Sequence, residues 1–412
     1  MALPSLRRQQ RYVRESELNM TFRELKPNIY PVGAVDWERR LFDSLIPLPD
    51  GTSYNSYLIK GSEKIALIDT VDPTKTQVLE ENLAKLGIIK IDFVIANHAE
   101  QDHSGSLAFV VQKYGAKVVS TPKAKPMLVD LLELSEEQFI TVEDTETISL
   151  GGKTLQFIHV PWVHWPETMV TYLKEEKILF SCDFFGSHIA ASNLYADDEG
   201  KVYEAAKRYF AEIMMPFRNV IQKNLEKLKD YQIDIIAPSH GPVHKQPDFI
   251  VNAYRDWVFG EPKNIVVLPY VSMHGSTKKM VDYFAAALIE RGVEVELFDL
   301  TVTDLGKLAL SLVDASTVVL ATPTVLAGAH PQIIYATFLA NALRPKLKYA
   351  SVIGSYGWGG KAIEQISGLI PNLKVEVIEP VLAKGYPAEA DFKALDNLAQ
   401  TISDKHKELA DG

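Results

Sequence analysis

The feature that most limits what this chain can fold into is a change of rhythm near residue 260. Downstream of FGEPKN (259–264), strand-type runs alternate with helix-type segments to the end of the chain. NIVVLPYV, VEVELFDL, STVVLATPT, KYASVIGSYG and LKVEVIEP read as strands. Each is followed by a helical pattern, the last beginning at Ala388. Apolar runs bounded by turn residues and spaced by helices indicate βαβ units. Their parallel strands need both faces covered, so residues 260–412 are expected to form a doubly wound five-stranded parallel sheet.

Upstream, over 21–259, short β-type runs dominate: SYLIKG (56–61), KIALIDTV (64–71), IDFVIANH (91–98), AKVVSTP (116–122), KTLQFIHVP (153–161), MVTYLKEEKILFSCD (169–183) and IDIIAPSH (233–240). Helix-type patterns at 73–88 and 216–231 lie between some of them. In the second, Val220, Ile221, Leu225 and Leu228 share a face. The expected organisation is an α/β chain of two domains, 21–259 and 260–412, behind an N-terminal extension over residues 1–20. That extension is Arg-rich, has no apolar segment and carries Glu15 and Glu17, which argues against a targeting signal. No apolar run approaches the roughly 18 residues of a membrane span.

Charge and cysteine content narrow the function. With 43 Lys+Arg against 53 Asp+Glu, the formal charge is −10, which disfavours nucleic acid or an anionic membrane as the main partner. The single cysteine, Cys182, leaves no internal disulfide and no Cys₄ metal centre. A reducing, cytoplasmic setting fits.

Four potential metal ligands close the run IDFVIAN within six residues: His98, Glu100, Asp102 and His103. In an extended segment, residues i and i+2 point the same way. His98 and Glu100 are thus expected to face one metal while Asp102 and His103 turn toward a second. His164, Asp183 and His240 stand at the ends of later runs, where strand ends converge on one edge. Taken singly, these three also read as loop, core or turn residues. The 98–103 cluster resists such a reading, because surface charge runs rarely mix His and acids after so apolar a strand.

In the second half, Ser272, Met273, His274, Gly275, Ser276 and Thr277 join the first strand to the first helix. Such a turn offers backbone N–H groups, hydroxyls and a positive helix end to a phosphate. Thr322, Pro323, Thr324, Val325, Leu326, Ala327 and Gly328 follow the third strand, and Ser355, Tyr356, Gly357, Trp358 and Gly359 follow the fourth. In a doubly wound sheet these loops meet at the switch point, where ligands bind. Tyr356 and Trp358 are candidates to flank a flat aromatic ring, or to pack on neighbouring loops.

The pattern HxExDH with a distant His, Asp and His resembles the metallo-β-lactamase superfamily, and more closely the flavodiiron (A-type flavoprotein) family. DWERRLFDSLIPLPDGTSYNSYLI (36–59), ALIDTV (66–71), HWPETMVTY (164–172) and SCDFFGSHIAAS (181–192) also resemble flavodiiron segments. The superfamily's zinc hydrolases carry HxHxDH, and here Glu100 replaces the second His. Two imidazoles and a carboxylate per metal, with open positions, suit non-haem iron better than zinc.

The resemblance implies a metallo-β-lactamase-like αββα sandwich followed by a flavodoxin-like domain. It implies two irons: His98, Glu100 and His164 on one, Asp102, His103 and His240 on the other, Asp183 bridging. Asp69 would orient ligands, and Tyr209 would lie near the diiron pocket. FMN would occupy the three loops, although Leu326-Ala327 replaces Asn-type residues found in several members. The implied reaction is reduction of O₂ to water or of NO to N₂O, with electrons relayed through FMN. The donor would be separate, a rubredoxin-like protein or reduced coenzyme F420, since one cysteine leaves no Cys₄ rubredoxin module in this chain. A head-to-tail homodimer or a dimer of dimers is likewise implied. The competing reading is a zinc-dependent hydrolase fused to a flavodoxin domain; Glu100 and the three loops count against it.

Overall fold

The computed structural model describes residues 23–411, and the expected extension over 1–20 lies outside the described residues. Two sheets form the first half. One runs β1 (Ile29–Pro31), β2 (Tyr57–Lys60), β3 (Ile65–Ile68), β4 (Phe93–Ile95), β5 (Lys117–Ser120) and β6 (Phe139–Thr141) in sequential order. It is antiparallel as far as β3 and parallel beyond. The other holds β7 (Thr147–Ser149), β8 (Thr154–His159), β9 (Met169–Leu173), β10 (Ile178–Cys182) and β11 (Ile235–Pro238), with only the last pair parallel. The single run read over 169–183 is therefore a hairpin, turned at the charged segment Lys174–Lys177.

Alternating strand residues decide the layering. Ile59, Ile68, Ile95, Val119, Phe157, Met169 and Phe180 point into a core shared by the two sheets. The outer face of the first sheet is covered by α1 (Thr76–Lys85), α2 (Leu107–Tyr114) and α3 (Ala124–Leu132). That of the second is covered by α4 (Glu199–Tyr209), α5 (Arg218–Leu228) and α6 (Pro247–Phe259). The result is the expected αββα sandwich. On α5, Ile221, Leu225 and Leu228 are buried as read, whereas Val220 lies at the margin of the face.

The second half builds a parallel sheet from β12 (Lys263–Tyr270), β13 (Glu294–Asp299), β14 (Ala315–Val325), β15 (Tyr349–Tyr356), β16 (Glu376–Val377) and β17 (Val381–Lys384). The order is β13-β12-β14-β15, with β16 and β17 both on the far side of β15. LKVEVIEP is thus not one continuous strand. The ladder is interrupted at 378–380, where Pro380 has no N–H to donate, and resumes at Val381. The helices are α7 (Ser276–Glu290), α8 (Leu305–Leu312), α9 (Pro331–Leu343), α10 (Ala362–Leu369) and α11 (Glu389–Asp411). α7 and α11 cover one face, and α8 to α10 the other. None of the described helices is long and apolar enough to cross a membrane.

The two halves share a core. Ala309, Val313 and Leu343 of the second half join the cluster formed by α4 to α6. Lys207 meets Asp314 at 2.8 Å and Arg208 meets Asp304 at 2.6 Å across the same seam.

On α11, His406 is buried with Nε2 2.7 Å from the Thr317 hydroxyl and Nδ1 2.7 Å from the Asn264 amide oxygen. That pairing suits a neutral imidazole, donating at Nδ1 and accepting at Nε2. Burial lowers its pKa to about 4, against about 6.5 in an unfolded chain. Between those values the unfolded state binds the extra proton, so this contribution to stability is present above about pH 6.5 and is lost as pH falls toward 4. Urea midpoints measured across that window should fall with pH less steeply in His406→Gln than in the parent. Parallel pH slopes would overturn this assignment.

Candidate metal centre and flavin loops

The seven proposed ligands lie together at one edge of the sandwich. His98 follows β4, His164 lies between β8 and β9, Asp183 directly follows β10, and His240 is two residues beyond β11. The 98–103 segment is not extended throughout. After Glu100 it closes into a single helical turn, Gln101–Ser104, and that turn aims Asp102 and His103.

Asp183 divides the cluster. Its Oδ2 lies 3.6 Å from His98 Nε2 and 3.7 Å from His164 Nε2. Glu100 Oε2 completes that group, 3.2 Å from His98 and 3.0 Å from His164. Asp183 Oδ1 faces the other way, 3.1 Å from His103 Nε2 and 3.3 Å from His240 Nε2. Asp102 completes that group, with Oδ2 3.1 Å from His240 and Oδ1 3.5 Å from His103.

Hydrogen bonds behind the ligands fix which ring nitrogen faces inward. His240 Nδ1 lies 2.7 Å from the Ser53 carbonyl oxygen, which only accepts, so Nδ1 carries the hydrogen. In the neutral ring Nε2 then presents a lone pair to the oxygens of Asp102 and Asp183. His98 Nδ1 is held in the same way by Glu167 Oε1 at 2.7 Å, an oxygen that also accepts from Ala99 N at 3.0 Å. Lone pairs facing carboxylates in a buried site call for positive charge between them, from a proton on the ring or from a metal ion. The charges follow suit. Burial alone would lower the His240 pKa, but Asp102 and Asp183 outweigh it and raise it to about 10. Burial alone would raise the Asp183 pKa, yet His103, His240 and His98 hold it well below the usual carboxylate range. Both oxygens of buried Asp102 lack any hydrogen-bond donor. These groups fit a pair of metal ions.

Asp69 acts one residue removed from the ligands. Its carboxylate accepts from Asn97 N at 2.8 Å, Asn97 Nδ2 at 3.0 Å and Ser239 Oγ at 3.1 Å. It thereby ties down the residues that immediately precede His98 and His240. Tyr209 donates its hydroxyl to Asp183 Oδ1 at 2.7 Å. His188, with its ring 4.8 Å from that of Tyr209 and 5.0 Å from that of His240, has a buried Nε2 without a partner. Burial and the neighbouring His240 depress its pKa well below the usual value. Cys182 packs its thiol 3.7 Å from His103 Nδ1, and burial pushes that thiol's pKa well up. The sequence reading missed Glu167; its place in the HWPET segment, three residues past His164, was the available signal.

The three flavin-type loops meet at the carboxyl edge of the parallel sheet. Gly275, at φ +89°, sits at the N-cap of α7, and no heavy atom lies where a side chain would project. Ser272 Oγ accepts from Lys278 N at 3.1 Å, and Thr277 Oγ1 lies 3.1 Å from Ser355 Oγ, tying the first loop to the third. Thr322 is engaged internally, accepting from His330 N and donating to Pro323 O. Leu326 and Ala327, at φ +50° and +63°, form the tip of a hairpin in which Thr324–Val325 pairs with Gly328–Ala329. Met273, Leu326 and Trp358 are exposed, while Tyr356 is half-buried. An open glycine turn at a helix N-terminus suits a phosphate, and the exposed aromatic beside it suits a flat ring. The residues fit a flavin mononucleotide.

Comparison with known proteins agrees with this geometry. Residues 52–241 match the family model described as ODP family beta lactamase. A nitric oxide reductase of Moorella thermoacetica is 36% identical over 358 residues, covering 85% of this chain and 90% of the relative. The rubredoxin oxygen:oxidoreductase of Desulfovibrio gigas superposes with a TM-score of 0.92 at 29% identity, over 95% of this chain and 100% of that one. The flavodiiron protein from Giardia intestinalis gives a TM-score of 0.88 at 29% identity, over 95% and 98%. Sequence, fold and ligand geometry together place this chain in the flavodiiron family of A-type flavoproteins.

Proposed function

We propose that this protein is an FMN- and diiron-dependent oxidoreductase that reduces O₂ to water, NO to N₂O, or both. The observation that carries the reading is the division of the cluster at Asp183, with Glu100 where a zinc hydrolase would place an imidazole. His98, Glu100 and His164 would hold one iron and Asp102, His103 and His240 the other, with Asp183 shared between them. Ser272–Thr277, Thr322–Gly328 and Ser355–Gly359 would hold FMN. When bound, the irons supply open positions for a diatomic ligand, and FMN supplies electrons one at a time.

The chain's own residues set the conditions. Glu167 and the Ser53 carbonyl fix the His98 and His240 rings so that Nε2 faces inward. Tyr209 holds Asp183 by its hydroxyl and keeps a proton beside the bridging carboxylate. Burial pushes the Tyr209 pKa well up, and the Asp183 charge reinforces this, so the hydroxyl stays protonated. His188 is kept neutral next to it. The domains are residues 21–259 for the metal centre and 260–412 for the flavin. The setting is cytoplasmic and the donor separate, a rubredoxin-like protein or reduced coenzyme F420. A head-to-tail homodimer, or a dimer of dimers, brings the flavin of one subunit to the irons of another.

Metal analysis of natively purified protein, with O₂ and NO consumption measured side by side across these donors, tests the reading. Two irons and one FMN per chain are expected, with turnover of at least one gas. Two zinc ions per chain, with esterase or lactonase turnover and no gas consumption, would establish the hydrolase instead.

A further inference from the structure

At the amino edge of the parallel sheet, away from the flavin loops, a cleft of about 550 Å³ opens between the two halves. It is lined by the start of α5, the connection at 258–262, and the segments leading into β15 and β16. Its charged side chains are Arg218, Arg344, Lys346, Lys348 and Lys374 against Glu261 alone. Five cations to one acid is a sharp local reversal in a chain of net charge −10.

Some of these cations have a local role. Lys346 Nζ donates to the Gly260 carbonyl at 2.6 Å, and Lys348 lies 3.9 Å from Glu261. The acids behind the cleft are already engaged, Asp314 by Lys207 and Lys263, and Asp256 by Lys263. Arg218 is different. Among the described residues its guanidinium has no hydrogen-bond or ion-pair partner, and its Nη1 is sealed from water without an acceptor. The sealed Nη1 lies out of reach of a ligand in the cleft, but the rest of this unpaired, half-buried guanidinium is not sealed and can donate to a bound oxyanion in the geometry it favours.

We propose that this cleft binds a multiply charged phosphate anion, which Arg218, Arg344 and Lys374 clamp between the two halves. Its dimensions and charge suit a tri- or tetraphosphate chain, free or carried by a nucleotide.

The test titrates the iron- and FMN-loaded protein with tripolyphosphate and with ATP by calorimetry, following flavin absorbance to confirm that FMN stays in place. One saturable site per chain is expected. Similar affinity for the two ligands would mean that the phosphates alone are read, and tighter binding of ATP would mean that the nucleoside is read as well; either supports the site. Arg218→Gln should weaken tripolyphosphate binding about tenfold, and so should the surface pair Arg344→Gln with Lys374→Gln. The surface pair keeps the test decisive if Arg218→Gln perturbs folding. Lys85→Gln, an exposed cation on α1, should change nothing. Absence of saturable binding would overturn the proposal, as would an equal loss in Lys85→Gln, or binding of polyglutamate but not of tripolyphosphate.

Discussion

Asp183→Asn should leave the fold and the flavin in place while iron content falls and gas consumption drops about a thousandfold or more, a loss of some 4 kcal/mol of transition-state stabilisation. The side chain is fully buried and is the one group that both halves of the metal centre share, Oδ2 toward His98 and His164, Oδ1 toward His103 and His240. An amide keeps the volume but removes the negative charge and makes one of the two atoms a donor. That donor must point at an imidazole lone pair or at the Tyr209 hydroxyl, so one half of the site loses its ligand whichever way the amide turns. Metal content per chain, FMN content and turnover of O₂ and NO, measured on the same preparation, separate this from misfolding. Full iron loading with turnover within about threefold of the parent, a difference below 1 kcal/mol, would show that Asp183 does not bridge.

Much of this site could be read from the sequence because its residues are unusual where they stand. His98, Glu100, Asp102 and His103 follow a strongly apolar strand, and the converging ends of later strands carry His164, Asp183 and His240. The local path of the chain was harder to see. The turn at Gln101–Ser104 buries Asp102 and His103 at the site, and no helical period can announce a four-residue turn. Glu167 was missed for a different reason. It acts on His98, 69 positions away in sequence, from the loop that also carries His164. Its role exists only once two strand ends are neighbours.

In the second half, the βα rhythm revealed the sheet because each strand is an apolar run. The rhythm concealed the break in the last strand, where Pro380 divides a continuous β-type pattern into β16 and β17. It also concealed the hairpin at Leu326-Ala327. Both residues occupy the left-handed region there, which neither favours intrinsically, so local propensity pointed away from the turn the structure adopts.

The boundary near residue 260 marks a change of architecture but not a break in the core, and Trp257→Ala should expose this as a loss of about 3–5 kcal/mol in stability. The indole is completely buried. It packs against Phe210 and Tyr254 at ring distances of 5.4 and 5.1 Å, and its Nε1 donates to the Tyr203 hydroxyl at 3.1 Å. Alanine at this position leaves a cavity and removes the donor that this hydroxyl accepts from. The same cluster contains Ala309, Val313 and Leu343 from the flavin half, and the Lys207–Asp314 and Arg208–Asp304 pairs flank it. Loosening the cavity walls should therefore weaken both halves. In urea, release of FMN fluorescence reports the second half and far-UV circular dichroism the whole chain. Both midpoints should move down together, and Trp257→Phe should recover most of the loss because a phenyl ring fills most of the space. If only the dichroism midpoint moved and FMN release stayed at its parental urea concentration, the halves would be stabilised independently. The seam would then be a contact surface and not a shared core.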